Sequence, residues 1–394
     1  MMNGVLRLRR AVCAVAVVLG MGAAYAAPAQ AAIVGAKPVP TYQTNGRVNA
    51  ILFLNGRVYL GGKFTSVRPA GAPLGTGEVA RNHLAAFDAS TGQLLSWNPS
   101  ASGAVFALAS SGNTIYVGGS FSKLGASTRS RIGAVDAATG AVLSGFKPKL
   151  DAAVNSLAVG GGVVYAGGSF TTANAIARAS LAAFDASTGA LSTTWAPAAG
   201  GNSSTTPTVT SVRLAPGGGL VYVGGGFTTI DGASQNHIAA LSTADGTPSP
   251  TFTHHLGYAV VDLAVDSTGV FVAGAGGGGN FANVNPSTGA IVWQGGTDGN
   301  VQAIAVLDGE VYVGGHYVNY CGPQGGMHTC ATPIKRQKLL AVDESTGALT
   351  SWNPHANSTL GVFALAGSGT TLGVGGDFTK IGGVAQQGYG EFTE

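Results

Sequence analysis

Apolar and polar positions alternate along this chain in short runs bounded by glycine, and beyond residue 32 no stretch sustains a helical period. One run recurs seven times, a β-rich line closed by paired small residues: Tyr59-Leu-Gly61-Gly62, Tyr116-Val-Gly118-Gly119, Tyr165-Ala-Gly167-Gly168, Tyr222-Val-Gly224-Gly225, Phe271-Val-Ala273-Gly274, Tyr312-Val-Gly314-Gly315 and Gly373-Val-Gly375-Gly376. The repeats lie 57, 49, 57, 49, 41 and 61 residues apart, a period that belongs to stacked supersecondary units. Each unit holds four stretches of strand character, which in unit 2 are Val105 to Ala109, Thr114 to Phe121, Arg131 to Asp136 and Ala141 to Phe146. The pattern predicts an all-β chain, a seven-bladed β-propeller of four-stranded blades.

The third and fourth strands are joined by an Asp-x-x-Thr-Gly turn at Asp88 to Gly92, Asp136 to Gly140, Asp185 to Gly189 and Asp343 to Gly347, with Asn285 to Gly289 as a variant. The Asp or Asn caps the backbone two residues on and the glycine supplies positive φ, so the turn needs these residues locally. One carboxylate per turn is far from the 6 to 8 oxygens that calcium takes. The fourth strand carries an aromatic in six units, Trp97, Phe146, Trp195, Phe252, Trp293 and Trp352, a recurrence that predicts packing between neighbouring units. Unit 7 offers strands at Val362 to Ala366, Thr371 to Phe378 and about Gln387 to Phe392, and no fourth. Val39-Pro-Thr-Tyr42 precedes Val48 as Phe146 precedes Val154, so this N-terminal strand is expected to complete the last blade and close the ring, leaving no open edge. Two positions after the leading valine of the first strand stands Ala50, Ala107, Ser156, Ser211, Ala303 or Ala364, small residues suited to the narrow centre of a wheel. Asp262 is the exception.

Residues 1–31 read as a secretory signal, with Arg7, Arg9 and Arg10 before an apolar run from Ala11 to Ala27 and a cleavage site at Ala29-Gln30-Ala31. A single domain over 32–394 is expected, secreted and extracellular, a monomer without a membrane span. The formal net charge of +3 is carried by those three arginines, so the remaining chain has no cationic surplus for a phosphate backbone, and nucleic acid is excluded as a partner. Cys13 leaves with the signal, and Cys321 with Cys330 reads as one disulfide of an exported chain. No four-ligand metal pattern is present.

The phrases Val-x-Ala-Leu-Ala, Tyr-Val-Gly-Gly-x-Phe-Thr and Leu-Ala-Ala-Phe-Asp give units that resemble the delta-60 repeat family of exported bacterial β-propellers, over about Val48 to Phe392. That resemblance implies the fold and says little of an activity. A fainter one is to the quinoprotein propellers, whose blades carry Ala-x-Asp-x-x-Thr-Gly-x-x-x-Trp. Here Ala86-Phe-Asp88 to Trp97 and Ala341-Val-Asp343 to Trp352 have one residue more between Gly and Trp, and Trp293 has the right spacing without the Asp. No cofactor is expected.

The second-to-third-strand connections are long in unit 1, Phe64 to His83, and in unit 6, Tyr317 to Lys338. The residue after each glycine pair is Lys63, Ser120, Ser169, Gly226, Ala275, His316 or Asp377, and the three polar, chemistry-bearing ones fall in units 1, 6 and 7, consecutive on a closed ring. This sector is the expected binding site, with Tyr320, Lys335 and Arg336 from the unit 6 loop; the competing reading is a Lys63 to Asp377 ion pair that seals the seam. Arg81, Arg129, Arg178 and Arg336 recur before the third strand, with Gln235 and Gln387 as replacements, either as an anion-binding ring or, more simply, as donors to carbonyls of a neighbouring loop. Gly274 to Gly279 matches a dinucleotide fingerprint without the helix that fingerprint needs. Asp262 and Asp377 have the best claim to the channel mouth. The expectation is a non-catalytic binding protein for an extracellular protein or polysaccharide. The alternative is an extracellular enzyme, carbohydrate-active or quinoprotein-like, working over the central channel through Asp262, His316 and Asp377.

Overall fold

The computed structural model describes Met1 and residues 34–201, 207–253, 256–323 and 330–394; apart from Met1, the segment read as a signal lies outside these. Among the described residues the chain is all-β, with no helix and hence none long and apolar enough to cross a membrane. Seven antiparallel sheets each take a first, second and third strand in chain order, for example Val48–Leu54, Arg57–Gly62 and Leu84–Asp88 in unit 1 and Val362–Ser368, Thr371–Gly376 and Tyr389–Thr393 in unit 7. First strands of successive units pack against one another from unit 1 to unit 7, and that of unit 7 packs also on that of unit 1.

The glycine pairs mark these contacts. A Cβ on Gly61, Gly118, Gly167, Gly224, Gly314 or Gly375 would collide with the leading valine of the next first strand, Val105, Val154, Val209, Val260, Val362 and Val48 respectively. The last pair joins unit 7 to unit 1 by the same contact as the others. All seven first strands also break register just after that valine, as between Val48 and Ala50 or Val260 and Asp262, a bulge that re-aims the residue in between.

The fourth strand departs from expectation. In units 1, 2, 3, 4 and 6 it contracts to one antiparallel bridge: Phe87 with Leu94, Val135 with Val142, Phe184 with Leu191, Leu241 with Pro248 and Val342 with Leu349. A proline follows within this segment or just after its aromatic at Pro99, Pro148, Pro197, Pro248 or Pro354, and proline cannot donate to a ladder. Unit 5 has none there, and it alone forms a full fourth strand, Ile291–Thr297. The aromatic nevertheless seats as expected. Trp97 lies edge-on to Tyr59 of its own unit at 5.0 Å and donates Nε1–H to Asp136 O of the next at 3.0 Å; Trp195 bonds Ser242 O likewise.

The N-terminal segment occupies the corresponding place beside unit 7. Val39 bridges Glu391 antiparallel, the amides of Val39 and Gly35 donate to Glu391 O and Thr393 O at 2.8 Å, and Trp352 of unit 6 donates to Gly35 O at 3.0 Å.

Each second-to-third-strand connection except that of unit 5 is a small hairpin, such as Ser66–Arg68 with Val79–Ala80 or Lys380–Ile381 with Val384–Ala385. In units 1, 2, 3, 6 and 7 a side-chain oxygen from the preceding connection clamps it: Asn45 Oδ1 accepts from the Thr65 and Ser66 amides, and Asn357 Oδ1 accepts from those of Thr379 and Lys380. In unit 5 the glycine run instead turns directly between Val270–Ala275 and Gly279–Val284, two paired antiparallel strands, which removes the dinucleotide fingerprint.

Candidate functional site: the central cavity and the hairpin face

One cavity of about 610 Å³ is lined by residues of all seven first strands. The bulges put Asn49, Phe106, Asn155, Thr210, Val261, Gln302 and Phe363 on its wall. Several of these tie neighbours together: Asn49 Nδ2 donates to Val105 O at 2.9 Å, Asn155 Nδ2 to Val209 O at 3.1 Å and Thr210 Oγ1 to Val260 O at 2.7 Å.

Asp262 is the one predicted site residue on this wall. Its Oδ1 lies 2.7 Å from Arg213 Nη2 and accepts from Ser211 Oγ at 3.1 Å and the Leu263 amide at 2.9 Å, while Oδ2 accepts from the Ile304 amide at 3.3 Å. Arg213 Nη1 continues the network to Ser156 Oγ at 3.1 Å and Val212 O at 3.0 Å. The carboxylate thus stitches units 3, 4, 5 and 6 together. It is the only carboxylate in the described lining, so the pairing of Asp262 with Asp377 as acid and base is not found.

The other predicted residues are not gathered around the cavity. Lys63 and His316 are exposed at the end of their second strands. Asp377 caps the connection into unit 7, accepting from the Ser358 hydroxyl and from the Leu360 and Gly361 amides, both at 3.2 Å. It makes no ion pair with Lys63; among the described residues Arg213–Asp262 is the ion pair present. Tyr320 corrects the expectation, because alternation along Asn319–Gly322 turns it inward, where it is 7 % exposed with its ring 6.3 Å from that of Phe281. Lys335 is exposed on the unit 6 hairpin. Arg336 donates to Lys335 O at 3.0 Å and Thr350 O at 3.1 Å, and burial pushes its guanidinium below its ordinary pKa.

The recurrent arginines share this geometry. Arg81, Arg129 and Arg178 each donate to the preceding carbonyl and to one in the fourth segment, Leu95 O, Leu143 O and Ser192 O, at 2.8 to 3.0 Å. They are donors to the fold and form no anion ring. The replacement in unit 7 is Gln386, one residue earlier than read from the sequence, and its Nε2 donates to Thr41 O of the N-terminal segment at 3.1 Å.

Cys321 and Cys330 form the disulfide, a bond at home outside the reducing cytosol. The loop between them is described only as far as Pro323. No cluster of three or more His, Cys, Asp or Glu among the described residues could hold a metal.

Sequence reasoning missed two features. Arg47 lies at the cavity mouth with its guanidinium carbon 4.0 Å from the Phe363 ring centroid, and burial lowers its pKa against the opposing charge of Asp377. The apolar exposure is also uneven: among the described residues after Met1, six of the nine exposed large apolar side chains (Leu74, Val79, Val318, Ile334, Leu360 and Val384) sit on connections of units 1, 6 and 7. These connections emerge at the hairpin end of the sheets.

A polycarboxylate quinone does not fit. Trp97, Trp195 and Trp352 are buried between units, Trp293 lies outside the cavity lining, and one of the two arginines in the cavity is already neutralised by Asp262.

Over 91 % of this chain and 97 % of the other, the structure is similar to the WD40 β-propeller domain of Doa1, at TM-score 0.56 and 14 % identity. U3-55K aligns over 90 % and 99 % at TM-score 0.58 and 11 % identity, and the computationally designed Ika8 protein over 91 % and 100 % at TM-score 0.53 and 15 % identity. These likenesses show a propeller-like fold. Among curated proteins no sequence matches. Residues 128–369 match a family model, and this agrees with the fainter, quinoprotein-like resemblance of the repeats. The chain belongs to that family, PQQ_2, described as outer membrane protein assembly factor BamB.

Proposed function

We propose that the seven sheets are blades of a closed ring completed by the segment around Val39, and that the protein is an exported, non-catalytic β-propeller of the delta-60 repeat type that engages another protein outside the cytoplasm. Residues 1–31 act as its export signal, and the disulfide supports that compartment. The carrying observation is that six exposed large apolar side chains fall on the connections of units 6, 7 and 1, consecutive on such a ring, because exposed apolar surface concentrated in one sector marks an interaction site. Lys63, His316, Lys335 and Arg336 serve as a polar rim, a common interface anatomy. The family description, an assembly factor for outer membrane proteins, favours a polypeptide partner over a polysaccharide.

The test immobilises the protein and challenges it with the envelope protein fraction of the source cells. Ile334→Asp, Leu360→Asp and Val384→Asp combined should abolish capture, while Ile291→Ser with Val292→Ser, at the opposite end of unit 5, should retain it at an unchanged thermal transition. Identical capture by both variants would refute the assigned face.

A further inference from the structure

Two guanidinium groups line the central cavity, and they differ in kind. Arg213 is paired with Asp262 and bonded to Ser156 and Val212. Arg47 has no carboxylate and no hydrogen-bond acceptor among the described residues; its Nε is buried without a partner, and its one recorded contact is the face of Phe363. With Arg213 and Asp262 cancelling, the lining itself carries one net positive charge, at Arg47. Asp377, whose charge reaches Arg47, lies outside the lining and is held by its capping donors. Arg47 has only the through-space charge of Asp377 opposite it and no acceptor bonded to it, so a ligand anion that accepts from it would gain charge-assisted hydrogen bonds. The wall beside it is apolar, with Phe363, Phe106, Ile51 and Leu365, and the volume falls in the range of small-molecule pockets.

We propose that the mouth of the central cavity binds a monocarboxylate with an apolar body, the carboxylate on Arg47 and the body against Phe363 and Phe106. The site is separate from the apolar hairpin face and does not depend on the protein-binding reading above. A free acid and the carboxy terminus of a polypeptide present the same chemistry.

Isothermal titration calorimetry separates them. The probes are 3-phenylpropanoate, the neutral 3-phenylpropan-1-ol, and the tripeptide glycyl-glycyl-phenylalanine with its carboxy-terminal amide. At least one of the two carboxylates should bind, at least about tenfold more tightly than its neutral counterpart. Arg47→Gln should remove that preference, with a loss of about tenfold or more for the acid and none for the alcohol or amide, whereas Lys123→Gln, exposed on the unit 2 hairpin and outside the lining, should change neither. Stronger binding of the tripeptide identifies a polypeptide terminus, and stronger binding of 3-phenylpropanoate identifies a free acid. The proposal is overturned if neither carboxylate binds, if charged and neutral probes bind alike, or if Arg47→Gln matches wild type with its thermal transition intact.

Discussion

Gly375→Ala tests whether the first and last units meet as the others do. The new methyl would enter the space held by Val48 Cγ1, with Ala364 Cβ also close, in a strand where neither neighbour can retreat to solvent. Overpacking of this kind costs about 1 to 3 kcal/mol. Val48→Ala alone removes two buried methyl groups, worth about 1.6 kcal/mol by transfer and more with the residual cavity. In the double variant the added methyl occupies part of the space the valine vacates, so the two costs should fall short of additivity by about 1 to 2 kcal/mol. Gly219→Ala is the control, because a Cβ there meets nothing within 4 Å and its φ is not positive. Urea unfolding of the purified protein, followed by tryptophan fluorescence, gives the four stabilities. The same cycle at Gly314 and Val362, between units 6 and 7, supplies the expected size of the effect. If Gly375→Ala is as stable as Gly219→Ala, or the cycle is additive at Gly375 and coupled at Gly314, units 7 and 1 do not meet in solution and the closed ring is wrong.

Further outcomes follow from single contacts. Trp352→Phe loses the bond to Gly35 O and should cost about 1 kcal/mol by urea unfolding, matching Trp195→Phe, which loses its bond to Ser242 O; a silent Trp352→Phe would unseat the N-terminal segment. Hydrogen bonds from the Ser90 hydroxyl and from Thr91 hold the Asp88 carboxylate at about 2, and those from Ser187 and Thr188 do the same for Asp185. Because these folded-state values lie below the ordinary 3.8, the stabilisation is complete above about pH 4 and is lost as pH falls toward 2; Asp88→Asn with Asp185→Asn should flatten the acid limb of a stability-pH curve. Glu391 has the opposite sign, because burial raises its pKa, so Glu391→Gln should stabilise at pH 8 and not at pH 4 in thermal melts. Reduction of Cys321–Cys330, which closes a loop of sequence separation 9, should lower the melting temperature by no more than about 3 kcal/mol of stability allows, with the main transition retained.

Much of the architecture was legible because repetition converts local chemistry into global pattern. The Asp-x-x-Thr-Gly turns need only their own residues, and the aromatic after each turn needs only a neighbour like itself. The pairing of Val39 with Glu391 was readable as well, since the sequence carries one strand too many before unit 1 and one too few in unit 7. Prolines that shorten the fourth strand were also visible, but their effect depends on ladder geometry and was missed.

What the sequence left undetermined was direction. A bulge of one residue in each first strand decides that Asn49, Phe106 and Phe363 face the cavity, and alternation restarted at Asn319 turns Tyr320 into the core instead of toward a ligand. Asp262 stood out in sequence as an exception, yet only the surrounding strands show it held by Arg213, Ser211 and two amides. Arg47 gave no signal at all, because being unpaired is a property of what surrounds a side chain. The sequence by itself determined the units, their turns and their order; the tertiary structure decided which side chains meet, since those contacts join residues some 50 or more positions apart that no local pattern can align.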